Sequence, residues 1–290
     1  MAHRFAIALV GAAIVAGTWS DRVPPRTVRV IGPYRVIAAD FHVHPVLLSA
    51  FDLVLEARRR GLDAFALTPH NQIVSGTIGQ WFARAIGGPT VIVGEEVRPQ
   101  TYHIIAVGVH ESVRWRQPAA STIADIHRQG GIAIAAHPDR EYWPAFDAAA
   151  IRSLDGAEVA HPTAFVKDDV RADMEAFFGR TSVAAIGSSD YHGLTPMGTA
   201  RTYVFATDAS EAAILDAIRH RRTVVYSRDG RVFGDPELIR LSAGTLPTVE
   251  QINATASASH DVWLAWFSRI AGIGGLLLVS LRSTQNPAGL

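Results

Sequence analysis

Between residues 28 and 240 two hydrophobic patterns alternate along the chain. Short apolar runs read as strands: Tyr34–Ala39, Leu62–Leu67, Val91–Val93, His103–Val109, Ile132–Ala136, Gly156–Val159, Val183–Ile186 and Thr202–Ala206. Between them, apolar residues recur at helical spacing. Asp52–Gly61 is the clearest case: Asp52 opens it, Leu53, Val54 and Ala57 share a face, and Gly61 supplies the C-terminal cap. Gly76–Ile86, Thr122–Gln129, Lys167–Phe178 and Ser210–His220 follow the same pattern. Strands spaced by helices predict an α/β fold of βαβ units with a mainly parallel sheet. About seven such units suit a closed or nearly closed barrel, whose functional groups sit at the C-terminal ends of the strands.

The two ends are patterned differently. Phe5–Trp19 is apolar and uncharged, preceded by His3 and Arg4, as in a secretory signal or a short anchor. Val262–Leu281 has the length of a membrane helix, with Trp263 and Trp266 near one edge. Arg269 interrupts it and would have to snorkel. A stretch rich in Ser, Thr, Ala, Gly and Pro precedes it and reads as a linker. The expected organisation is therefore an anchor or signal over residues 1–20, a catalytic domain over 21–245, a linker over 246–261 and a membrane helix over 262–282, with apolar helices at both chain ends. The catalytic domain would then be tethered to a membrane and exported.

Composition narrows the chemistry. A hydrophobic fraction of 48% supports a sizeable core, and 27 basic against 27 acidic residues give no charge that recommends a nucleic-acid partner. The chain has no cysteine, so any metal must be held by His, Asp or Glu.

Those residue types gather where the strands end. After Ala39 come Asp40, His42 and His44; in an extended strand the two histidines share a face. His70 follows the next strand, Glu95 and Glu96 the third, and His103 opens the fourth. His137 and Asp139 follow Ala136, Glu158 and His161 follow Ala157, and Asp190 and His192 follow Ile186. Seven of the 12 histidines are in phase with the strands. A rim of imidazoles and carboxylates suits Zn²⁺, Mn²⁺ or Fe²⁺ better than a hard all-oxygen ion such as Ca²⁺.

The ordered set Asp40–His44 (DFHVH), Leu67–Asn71 (LTPHN), Gly94–Val97 with His103, Ala136–Pro138 (AHP) and Gly187–His192 (GSSDYH) resembles the PHP superfamily of metal-dependent hydrolases. The resemblance covers most of residues 30–240. It implies a distorted seven-stranded β/α barrel, (β/α)7, with two or three divalent ions. Carried over by position, His42, His44 and Asp190 would bind a first metal, and Glu96 would bridge it to a second completed by His103 and His137, with Glu95 the fallback for Glu96. His70 and His192 would hold a third. Two positions depart from the pattern. The turn Pro45–Ala50 lacks the usual acidic or His ligand, and Pro69 stands where the family has Asp. The first departure makes a dinuclear centre as plausible as a trinuclear one.

Metals about 3.5–4 Å apart share a water and lower its pKa, giving a hydroxide nucleophile. The expected reaction is therefore phosphoester hydrolysis of a small molecule, with Asp190, His192 and His161 as catalytic candidates and Asp139 a further acid. Arg98, Arg140 and Arg201 flank the motifs and could meet a phosphate. Amide, ester or carbamate hydrolysis is the alternative within the superfamily. A membrane-tethered module that binds metal without turnover is the alternative outside it.

Overall fold

The computed structural model describes residues 2–20, 28–45, 50–193, 195–259 and 262–283. Its strands are β1 (Arg29–Ile31), β2 (Tyr34–Val43), β3 (Ala64–Leu67), β4 (Thr90–Val97), β5 (Ile104–Val107), β6 (Ile132–Ala135), β7 (Gly156–Ala160), β8 (Ala184–Gly187), β9 (Thr202–Ala206), β10 (Thr223–Tyr226) and β11 (Val232–Gly234). Its helices are α1 (Ala2–Ser20), α2 (Ala50–Arg59), α3 (Val74–Ile86), α4 (Ala119–Arg128), α5 (Ala148–Ser153), α6 (Asp168–Gly179), α7 (Glu211–Arg219), α8 (Pro236–Ser242), α9 (Val249–Ser259) and α10 (Val262–Ser283). They fall into two units, Arg26–Ala254 and Met1–Pro25 with Thr255–Leu290.

In the larger unit one sheet runs in the order β11-β10-β9-β2-β3-β4-β5-β6-β7-β8, with β1 beside β2. Seven consecutive strands, β2 to β8, curl into a nearly closed barrel. Beyond β8, main-chain hydrogen bonds from the His44 N–H to the Tyr191 carbonyl (3.0 Å) and from the Tyr191 N–H to the His42 carbonyl (3.2 Å) join the two sides. The Thr202 hydroxyl also bonds both the N–H and the carbonyl of Gly187. The expected mainly parallel sheet is corrected. Parallel pairs are β2–β3, β3–β4, β6–β7 and β7–β8, whereas β4–β5, β5–β6 and all pairings of β9 and β10 are antiparallel. The link from β4 to β5, residues 98–103, is too short for the crossover of a dozen or more residues that a parallel pair needs.

Strands buried on both faces read as unbroken apolar runs. That is why AFAL in β3, IIAV in β5, IAIA in β6 and AAIG in β8 are buried throughout. Ile37, Ala39, Phe41, Ile92, Ile105, Ile134 and Ile186 pack together with the buried face of α7, forming an apolar floor. The segment expected to be a linker instead contains α9, and Leu246, Val249 and Ile252 are buried. The Tyr203 hydroxyl donates to the Pro247 carbonyl (2.7 Å) and fixes the approach to that helix.

In the smaller unit α1 and α10 pack on each other. The Ser268 hydroxyl donates to the Ala13 carbonyl (2.7 Å), and Gly275 lies against Val10 and the Ala6 carbonyl. The expected membrane spans, and the membrane-tethered, exported location built on them, are corrected: among the described residues no helix is long and apolar enough to cross a membrane. In α1 the apolar run Phe5–Gly17 covers about 20 Å at 1.5 Å per residue, against roughly 30 Å of hydrocarbon. In α10 the run is broken by Ser268 and Arg269.

Candidate metal centre

Each of the seven barrel strands delivers a polar side chain to the same rim. The register of β2 against β3 shifts between Asp40 and Val43, where the H-x-H pair leaves the strand. Asp40 beneath it is fully buried and accepts hydrogen bonds from the Ser189 N–H (3.1 Å), the Ser189 hydroxyl and the Gly198 N–H (2.8 Å), tying β2 to the loop after β8. Asn71, His137 and Asp190 have positive φ (50°, 26° and 44°), so three of the turns at this rim are held in a conformation that costs a non-glycine residue about 1–2 kcal/mol.

Two carboxylates organise the histidines. Glu96 Oε2 lies 2.9 Å from His70 Nε2, 3.5 Å from His44 Nε2 and 3.6 Å from His42 Nε2. Its Oε1 faces His103 Nδ1 (3.0 Å) and His137 Nε2 (3.5 Å). Asp190 Oδ1 faces His44 Nε2 (3.2 Å), His42 Nε2 (3.3 Å) and His192 Nδ1 (3.3 Å), while Oδ2 faces His161 Nε2 (3.5 Å). The cluster grades from fully buried at His42 to half-open at His70 (38%) and His192 (45%).

Electrostatics follow from burial among opposite charges. Burial pushes Asp190 and Glu96 up, yet the surrounding histidines outweigh it and hold both well below the usual carboxylate range. Burial disfavours the charged form of His42, but Asp190 and Glu158 together raise it well above 6.5. Burial pushes His44 down to about 4. Glu158, fully buried on β7, accepts from His42 Nδ1 (3.0 Å) and from the His137 N–H (2.6 Å). That bond fixes the His42 tautomer and turns Nε2 inward, the usual way a carboxylate orients a metal-binding imidazole.

The donor set fits divalent cations. His42 Nε2, His44 Nε2, His161 Nε2 and Asp190 Oδ1 are buried without a hydrogen-bond partner, although each faces the cluster. Three triads bring their ligand atoms within 4.8 Å of one another: His42–Glu96–His137, His42–His161–Asp190 and His44–His70–His192. Buried imidazole nitrogens beside ionised carboxylates suit Zn²⁺, Mn²⁺ or Fe²⁺.

A family model described as PHP-associated matches residues 174–223, the segment carrying Asp190 and His192. An uncharacterised protein of Methanocaldococcus jannaschii is 33% identical over 107 residues, a match spanning 36% of this chain and 60% of that one. Among solved structures, a two-domain protein of Bacteroides vulgatus containing a predicted PHP-like metal-dependent phosphoesterase superposes with a TM-score of 0.57 at 22% identity, covering 76% of this chain and 73% of that one. A lesion-specific endonuclease of Pyrococcus furiosus gives a TM-score of 0.43 at 13% identity, covering 78% and 72%. The chain shares the barrel fold of the Bacteroides protein.

All seven strand-end histidines, with Glu96 and Asp190, meet at the rim. Glu95 does not: it points under residues 112–113, accepts from the Val113 N–H, and burial pushes it up to about 7. Asp139 stands beside the cluster, raised by burial, with Oδ1 buried and unpartnered. Of the three arginines, Arg98 reaches the rim. Arg140 pairs with Asp173 (2.9 Å), and Arg201 is buried against the carbonyls of Gly198 and Arg60. Within the ligand-poor turn, residues 46–49 lie outside the described residues. Two contributors had no role assigned in the sequence. Glu158 is marked only by its place at a strand end, and Tyr142, whose ring stacks on His103 (4.8 Å), sits in an irregular segment without a motif.

Proposed function

We propose that this chain is a metal-dependent hydrolase of phosphate esters, with two or three divalent ions held by His42, His44, His70, Glu96, His103, His137, Asp190 and His192. The observation that carries the reading is the pair of buried nitrogens without a hydrogen-bond partner, His42 Nε2 and His44 Nε2, converging with Asp190 Oδ1. Glu96 has an oxygen toward each half of the cluster and would help hold an ion in each. Bound divalent cations supply an acidified water, its pKa lowered from 15.7 toward about 7, and neutralise charge developing on phosphoryl oxygens.

The chain's own groups do the rest. Glu158 holds His42 by its Nδ1–H, leaving Nε2 for a cation. His161 Nδ1 accepts the Thr163 N–H (3.2 Å), so a neutral ring carries its proton on Nε2, beside Asp190. That N–H can donate a hydrogen bond to a leaving-group oxygen as charge builds on it, and the proton stays on the ring, because a neutral imidazole that lost it would become an imidazolate. Asp190 stays ionised and positions both His161 and the inner pair His42 and His44.

Purified full-length protein, its metal counted per chain, is assayed with Mn²⁺ or Zn²⁺ against aryl phosphates, aryl phosphodiesters and aryl esters. Phosphoester turnover abolished by His44→Ala is the expected result. Turnover of esters alone would favour the carboxyl-centred alternative, and bound metal without turnover on any substrate would favour a binding module.

A further inference from the structure

Arg98 is the exposed residue that follows the last position of β4. Its backbone N–H donates to Asn71 Oδ1 (3.0 Å), which anchors it to the turn after β3. Its guanidinium lies across the rim: Nε donates to His103 Nε2 (3.2 Å), and Nη1 is 3.2 Å from His70 Nε2. Arg140, Arg171 and Arg231 are each held by carboxylates. Among the described residues Arg98 makes side-chain hydrogen bonds to imidazoles only, so its charge is not neutralised by an ion pair.

Beside it opens a cleft of about 450 Å³ lined by Gln100, Thr101, Glu141, Tyr142, Pro144 and Ala145. That size lies within the roughly 300–1,000 Å³ typical of small-molecule sites. Tyr142 belongs both to the cleft and to the metal rim, because its ring stacks on His103 at 4.8 Å and 29°. The cleft is therefore one ring away from the candidate second metal site. Its walls are mixed: Tyr142, Pro144 and Ala145 give apolar surface, and Glu141 gives a negative charge.

Resting on the hydrolase reading above, we propose that Arg98 binds the phosphoryl group of the substrate and that the Tyr142 cleft receives its alcohol portion. The substrate is then a phosphomonoester of a compact, partly apolar alcohol that carries no further negative charge. A guanidinium fork matches the oxygens of a phosphoryl group and binds them bidentately. Glu141 repels a second anionic group in the cleft. A nucleic-acid strand, with a charge at every phosphate, would bring such groups there repeatedly.

The test uses non-hydrolysable probes on full-length, Mn²⁺-loaded protein, followed by calorimetry: inorganic phosphate, phenylphosphonate and 3-phosphonopropionate. Phenylphosphonate should bind more tightly than phosphate, and phosphonopropionate more weakly than phenylphosphonate. Arg98→Ala should weaken phosphate at least tenfold, and Arg98→Lys should recover part of that loss. Tyr142→Ala should weaken phenylphosphonate while leaving phosphate within about twofold. Glu141→Gln should narrow the gap between the two phosphonates. If Arg98→Ala loses metal, Arg98→Lys and the two cleft variants carry the test, each checked for metal content. Unchanged phosphate affinity in Arg98→Ala that retains metal, or no phosphate binding by the wild type, overturns the proposal. So does a phenylphosphonate affinity indifferent to Tyr142. Arg98-dependent phosphate binding without turnover of any aryl phosphate leaves this site standing and removes the hydrolase reading instead.

Discussion

Glu158 gives the innermost histidine its direction. Replacing it by Gln keeps the shape but weakens the acceptor for His42 Nδ1–H and for the His137 N–H. Metal titration of Glu158→Gln should show affinity lowered about 10–100-fold, the usual cost of losing an orienting partner. The same carboxyl makes a pH prediction. His42 and its neighbours overcome burial and lower Glu158 from 4.5 to about 2 in the folded protein. A depressed carboxyl contributes stability that is present above its unfolded pKa and is lost as pH falls through the folded one. Thermal melts of metal-free protein should therefore lose stability between pH 4.5 and about 2, and Glu158→Gln should flatten that loss. At this scale the histidines were legible because each sits at or near an end of an apolar run, His103 at the start of one and the others after one. Glu158 was visible as a position but not as a role, since its partner His42 is 116 residues away in sequence. Arg98 was legible as a charge beside a motif, while the cleft next to it is built by residues 141–145, which no periodicity marks.

Among the seven barrel strands, β4 carries the closest glycine contact. A Cβ on Gly94 would run into the Ala106 carbonyl oxygen on β5 and would lie 3.0 Å from Thr68 Cγ2. Neither the antiparallel ladder nor the turn after β3 can give way without moving Glu96. Gly94→Ala should cost about 1–3 kcal/mol, as overpacking of a filled core does. It should lower Tm by several degrees in differential scanning calorimetry, with metal affinity falling alongside. Most elements could be read from pattern alone: Thr202–Ala206 is a strand as expected, and α3, α4, α6 and α7 start and stop within about three residues of their sequence positions. Strand direction could not be read, because β5 has the same buried apolar character whether its neighbours run parallel or antiparallel. The stretch around α9 was misread as a linker because its small polar residues mask the three spaced anchors Leu246, Val249 and Ile252.

Across the whole molecule, candidate ligands from residue 42 to residue 192 converge, so cation binding there would join parts of the chain that are far apart. A ligand present at 100 times its dissociation constant stabilises the folded state by about 2.7 kcal/mol. Chelation should therefore lower Tm in a single transition for the barrel unit, and the shift should vanish in His44→Ala. The end segments show where hydropathy misled. Their apolar character was real, but the uncharged run of α1 is too short and that of α10 is interrupted at Ser268 and Arg269.

The two main-chain hydrogen bonds linking residues 42–44 to Tyr191 have one further outcome. Every other junction around β2 to β8 pairs at least two residues, whereas this one is a single rung flanked by His42, His44 and Asp190. Breathing of the barrel starts at its weakest rung, so amide protons of His44 and Tyr191 should exchange with deuterium sooner than those along β3. Cations held by His42, His44 and Asp190 would clamp it, so protection there should rise on adding metal, without any substrate.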